Sequence, residues 1–445
     1  MNDTARGAAM LKALRRRRGL SLAGTARALR DLAEQCGQAN MSLPSIASVQ
    51  RSVARWESTR PTRPDDRYQL LLGHLYARTP TGDLALGPGS DFAELLDALA
   101  HLGEGAQALT ELRQLLLRSA AEHGAGMLAL LSPALETRLT AALANPTQAD
   151  EDLLAGLRAA VSDVNAHIGG LPFTRLQLLL APTVDACRRL LTLDVPEPLL
   201  PYLRDIAVAA HTLAGRLAFE VRDDTASRAH YTRATQQAAH LPRWRRATVH
   251  MSHALTTLYS TPGLETTQHL VDAAVQDASN GESPKIRARA HALQAELAAR
   301  AGHQRPAQGA LQLAHHDLVT NGDGDPARTS FTDSHLRGFE GLCELYTGNA
   351  ATAHDQLAQA ASKLSTTREQ VQRTIISTDQ ALARVTMDEP HAAAELLHDC
   401  VTAAATTGGR VPTLRLHHAR RRLRPWRRED FVADLDDHII ETLGR

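Results

Sequence analysis

The sequence predicts an all-α protein, and three observations predict it. Only 3% of its 445 residues are aromatic, while Ala and Leu recur three and four positions apart, the spacing that keeps one face of a helix apolar. Turn clusters such as NPT, GGLP, DVPEP, NGES and NGDGD cut this pattern into helix-length pieces. The second half also repeats itself at a near-constant period, the signature of stacked helical units. The length allows two to three domains. The formal charge of zero conceals an asymmetry: residues 1–78 hold 14 basic and six acidic side chains, a net +8, so the rest sums to −8. A basic head on an acidic body points to an anionic partner at the head.

The head reads as four short helices. In residues 8–18, AAMLKALRRRR, Met10, Leu11 and Leu14 share a face. Gly19 stops that helix in the left-handed conformation glycine tolerates, and Ser21 caps the next. There Leu22, Thr25, Ala26, Leu29 and Leu32 keep the helical spacing. Residues 36–45, CGQANMSLPS, form a loop. A third helix follows, and Asp65 and Asp66 cap a fourth that carries Tyr68, Leu71, Leu72 and Leu75.

The third helix carries the functional signal. At about 100° per residue, Ile46, Val49, Val53 and Trp56 fall within an arc of about 80°. The opposite arc holds Ala47, Ser48, Arg51, Ala54, Arg55 and Ser58, with Gln50 at its flank. One face is therefore apolar. The other sets arginines among residues too small to obstruct close approach. That arrangement suits a helix entering a major groove, where Arg bonds guanine through two N–H groups and Gln bonds adenine. The competing reading is an Arg-rich surface helix with no task beyond solubility.

Three stretches carry a resemblance: RRRRGLS at 15–21, Gln50-x-Ser52-Val53-x-x-Trp56-Glu57, and Pro61 and Pro64 before the last helix. With them the head resembles the Cro/repressor-type (XRE) helix-turn-helix regulators. More closely, the chain resembles an actinobacterial group that carries helical repeats behind the head; the segment preceding Gln50 is longer than the family's usual turn. The resemblance implies that Ser48, Gln50, Arg51, Ser52 and Arg55 meet the DNA, that Arg16, Arg18 and Arg60 hold phosphates, and that Arg15 pairs with Glu57. It also implies binding to a double-stranded operator as a homodimer, and a body that senses a signal, a small peptide being the first candidate and a small molecule or protein the others.

Residues 79–90, TPTGDLALGPGS, read as a linker, and 91–195 as a helical connecting region. Within 196–445 five units repeat small, large and small anchors: Ser227/Tyr231/Ala234, Thr267/Val271/Ala274, Ala307/Leu311/Ala314, Ala353/Leu357/Ala360 and Ala393/Leu397/Cys400. Their starts lie 40, 40, 46 and 40 residues apart, and Gly215 and Gly341 take the small position in the preceding helix of their units. This predicts a tetratricopeptide-like α-solenoid with a concave face lined by Thr212, Arg216, Ser252, Tyr259 and Glu296. The run at 415–430 contains seven arginines and reads as a closing helical cap, with Leu414, Leu416, Leu423 and Trp426 buried and the arginines facing water.

Other chemistry lacks its residues. The four cysteines are far apart, and His250/His253, His315/His316 and His417/His418 have no ligand partners at metal spacing, so no metal or cofactor is expected. There is no phosphate-binding or nucleotide-binding glycine motif and no nucleophile elbow, so no enzyme is expected. Reduced cysteines and the lack of a secretory signal or membrane span suggest a cytoplasmic protein. The sequence thus predicts a DNA-binding transcriptional regulator. The alternative is a repeat scaffold for protein interaction whose head does not bind DNA.

Overall fold

The computed structural model describes residues 3–35, 43–79, 85–86, 89–121, 131–320, 324–366, 369–407 and 409–443. Among them are 21 α-helices and no strand. The predicted loop at 36–45 and linker at 79–90 fall partly outside the described residues, as does Cys36. The chain divides into two compact units, residues 1–149 with 177–186, and residues 150–176 with 187–445.

The first unit contains α1 (Asp3–Arg17), α2 (Leu22–Gln35), α3 (Ile46–Trp56), α4 (Asp66–Tyr76), α5 (Asp91–His101), α6 (Ala106–Ala121) and α7 (Pro133–Ala144). The predicted stops operate as local chemistry dictates. Gly19 adopts φ +67°, and the N–H of Leu20 returns to the carbonyl of Arg15 at 3.1 Å. The Ser21 hydroxyl accepts from Gly24 N–H at 2.9 Å, Ser45 caps α3 and Asp65 caps α4. Leu14, Leu29, Val49, Val53, Trp56, Leu71, Phe92, Leu95 and Leu99 meet in one core. Each such side chain contributes about 1.5–3 kcal/mol on burial. The core therefore extends past residue 78 into α5 and α6, because the apolar face of α5 covers α1. Ile46 departs from the predicted anchor set, being 36% exposed. It is the first helical residue of α3, and helical side chains lean toward the N-terminus, so it overhangs the end of the core.

The second unit opens with α8 (Glu151–Ala166) and the parts of α9 (Phe173–Leu190) outside 177–186. Five successive pairs follow: α10 (Leu200–Glu220) with α11 (Asp224–Ala238), α12 (Arg243–Ser260) with α13 (Glu265–Ser279), α14 (Pro284–Arg300) with α15 (Gln304–Val319), α16 (Asp333–Thr347) with α17 (Ala350–Lys363), and α18 (Gln370–Thr386) with α19 (Pro390–Thr407). The chain ends in α20 (Arg410–Arg422) and α21 (Asp430–Leu443). The pairs form a repeat-like helical array. All five anchor triplets lie on the second helix of a pair, and all their members are buried except the half-buried Leu311. The small partners in the first helices are required sterically. A Cβ on Gly215 would stand 2.9 Å from the Tyr231 ring, and one on Gly341 would stand 2.7 Å from Leu357.

Two side chains of the last helices depart from the expected burial. Leu416 and Leu423 are fully buried and Trp426 packs half-buried against them, yet Leu414 is 38% exposed. Arg415, expected in water, is buried instead, because its helix turns that side toward the first helices of the pairs, where acceptors await it.

Candidate functional site

On α3, Val49, Val53 and Trp56 hold the helix to the core, with Trp56 edge-on to Tyr68 at 4.9 Å between ring centres. The outer side carries Arg51 and Arg55, both exposed, between the exposed Ala47 and Ala54; Ser48, Gln50 and Ser52 are half-buried. Ser52 donates to the Ser48 carbonyl at 3.3 Å, and Arg55 reaches the Ser52 hydroxyl at 3.4 Å. No carboxylate among the described residues pairs with Arg51, Arg55, Arg16 or Arg60, and Arg16 and Arg60 are exposed. Arg18 differs: it bonds Asp91 and the carbonyls of Tyr76 and Arg78, so its donors serve the fold rather than a phosphate. Just past the end of α1 and before the turn at Gly19, Arg18 lies beside the C-terminal end of α4, where free carbonyls attract a cation.

The ion pair expected between Arg15 and Glu57 is present and bidentate. Arg15 Nε donates to Glu57 Oε1 at 2.7 Å and Nη2 to Oε2 at 2.6 Å, while Nη1 donates to the Leu20 carbonyl at 2.8 Å. The side chains are 10% and 6% exposed. The hydrogen bond to Glu57 raises the Arg15 pKa above its ordinary value. This clamp ties the end of α1 to the residue closing α3 and sets how α3 presents its arginines.

The five predicted groove residues lie on the first helices of three successive pairs, α10, α12 and α14. Thr212 Oγ1 is buried without a partner, Arg216 lies near Glu220, and Ser252 bonds the Tyr231 hydroxyl at 2.8 Å. Tyr259 and Glu296 share a partner, Arg300, in a polar cluster the sequence did not reveal. Arg300, one helical turn beyond Glu296 on α14, donates to it at 2.9 Å and to the Tyr259 hydroxyl at 3.3 Å. The Arg300 guanidinium lies over the Tyr346 ring of α16 at 4.8 Å. Arg415 of α20 donates to Tyr259 at 3.0 Å and to Asp379 of α18. Burial opposes the Arg415 charge, but Asp379 foremost holds its pKa well above the ordinary guanidinium value. The start of α20 is fastened as well. The buried Glu220 carboxylate of α10 accepts from the N–H groups of Arg410 at 2.7 Å and Val411 at 3.3 Å, and the Arg410 guanidinium meets Asp224 and stacks over Phe219.

The spacing of Glu296 and Arg300 was a readable signal for part of this cluster. Nothing in the run at 415–428 distinguishes Arg415 from its neighbours. Cys187, Cys343 and Cys400 are free and buried, and no group of three or more His, Cys, Asp or Glu able to hold a metal occurs among the described residues. No helix there is long and apolar enough to cross a membrane. No protein-family model matches this chain, and no curated protein or solved structure matches it.

Proposed function

We propose that this protein is a DNA-binding transcriptional regulator, with a helix-turn-helix head and a tetratricopeptide-like body that dimerises and senses a signal. The observation that carries the reading is the Arg15–Glu57 clamp on a helix whose apolar side is buried and whose Arg51 and Arg55 are exposed, with no carboxylate partner among the described residues. In this reading Ser48, Gln50, Arg51 and Arg55 meet base edges, Ser52 lies beside them, and Arg16 and Arg60 neutralise phosphates. Arg18 is withdrawn from that set by Asp91. A homodimer places two such helices on paired half-sites, because one head offers a small interface. Whatever the body binds alters operator affinity only by favouring one arrangement of the body over another.

The test is binding of the full chain to DNA from upstream of its own coding region and to random duplex, each at two salt concentrations. The reading expects tighter binding to the upstream DNA at both, with a salt slope that reports the phosphates neutralised. Equal affinity for both DNAs would sink it and favour the scaffold.

A further inference from the structure

Burial of Arg415 is unusual among the arginines of its segment. Arg421, Arg422, Arg424, Arg427 and Arg428 are all exposed, and Arg420 reaches out to Asp436 at 2.5 Å. Arg415 alone turns inward, onto groups supplied by separate pairs: Tyr259 from α12 and Asp379 from α18. Around them stand Glu296 and Arg300 of α14 and Tyr346 of α16. Four successive first helices thus converge on one guanidinium carried by a helix from the end of the chain.

A buried ion pair is a poor device for stability, since desolvating both charges offsets most of their attraction. It is a good device for recognition. Asp379 and the Tyr259 hydroxyl lie ready for a planar fork of N–H donors, and an apolar or lysine side chain does not reproduce that fork. Another guanidinium bonds the same groups equally well, so one can replace the other with little change in the pairing itself.

From this geometry we infer that the first helices of the array form a binding site for an arginine side chain on a short helical peptide, and that α20 fills this site in cis. The natural occupant from outside is an arginine-bearing peptide, matched to the site by the buried Asp379 carboxylate, since Glu296 is already paired with Arg300. A segment of the same chain competes at an effective concentration in the millimolar range, so an incoming peptide gains access mainly when α20 is weakened or the peptide binds more tightly than α20 does. Such a site gives the sensing body a ligand class. It rests on contacts within the second unit and does not require the head to bind DNA.

The experiment uses the full chain and a fluorescently labelled peptide of residues 409–423. In the Arg415→Lys chain, checked by circular dichroism, the labelled peptide is expected to bind at least tenfold more tightly than in wild type. Adding Asp379→Asn, or replacing the peptide's own Arg415 by Ala, removes that binding. In wild type, a millimolar excess of unlabelled peptide is expected to speed amide hydrogen exchange across 411–422, and the Ala-substituted peptide is not. Equal affinity for wild type and Arg415→Lys, binding that survives loss of the peptide's guanidinium, or unchanged exchange with either peptide overturns the inference. Because none of these readouts involves DNA, they separate failure of this site from failure of the DNA-binding reading.

Discussion

Two helices of this protein, α3 and α20, are arginine-rich, and they use the residue in opposite ways. On α3 the arginines stand outside a core built from Val49, Val53 and Trp56, with small neighbours and no carboxylate paired to them among the described residues. On α20 Arg415 is closed in by Asp379 and Tyr259, and Arg410 at the helix start is held by Asp224. Composition does not separate the two. What separates them is the surface each helix packs on: the head offers α3 mainly apolar groups and its arginines stay in water, whereas the array offers α20 carboxylates and draws Arg415 inside.

The largest expected effect belongs to Arg415. Arg415→Ala leaves Asp379 buried without its strongest partner and is expected to cost about 3–5 kcal/mol in denaturant unfolding. A paired replacement of Arg415 and Asp379 by Leu is expected to recover most of that loss. A single-mutant cost below about 1 kcal/mol would mean that the pair is not desolvated in solution.

Buried histidines sharpen the point, because they surrender the charge that Arg415 keeps. His211 and His230 meet at 3.0 Å inside the array, and burial lowers their pKa values to about 3 and about 4. In the unfolded chain both take up protons below pH about 6.5, while the folded pair does not until far lower. The unfolded state therefore binds more protons between these limits, and stability falls as pH drops through that window. From pH 7 to pH 5 the loss is about 2 kcal/mol for each histidine. Unfolding free energies across that range test this, and a flat profile contradicts the buried pair.

Within the head, Arg15→Ala removes the clamp from a nearly buried Glu57, at an expected cost of about 3 kcal/mol, read as a fall in the melting temperature. Arg55→Ala should leave stability within about 0.5 kcal/mol, since the side chain stands in water. It should instead cost about 1–3 kcal/mol on cognate DNA and relax the base preference there. Equal loss on unrelated duplex would reassign Arg55 to phosphate. The smallest effect belongs to Arg422→Gln on the exposed side of α20, expected within about 0.5 kcal/mol of wild type.

Periodicity and capping residues made the helices legible, because these are local rules that operate before any tertiary contact. The Gly215–Tyr231 and Gly341–Leu357 approaches were legible too, since paired helices come this close only where a small residue on one meets a large residue on the other at a fixed spacing. Arg15 and Glu57 could be paired only through the resemblance, as 42 positions separate them. The cluster around Arg415 was hidden for the same physical reason with nothing to compensate: 156 residues lie between Arg415 and Tyr259, and no local rule spans that distance. The displaced roles of Ile46, Arg18 and Leu414 share one cause. Each lies at or near a helix end, where direction depends on what the neighbouring elements leave open.

The fastening of α20 also bears on how the second unit folds. A linear stack of helical pairs gains stability from nearest neighbours, so its ends fray and its middle can melt separately. Here one helix bonds Glu220 and Asp224 at the first pair and Asp379 at the last, with 190 residues between Glu220 and Arg410. Losing either end loosens α20, and losing α20 exposes both ends, so the pairs are coupled and the unit should melt in a single transition. During synthesis the same tie is made late, because the array cannot close until residues near 415 leave the ribosome.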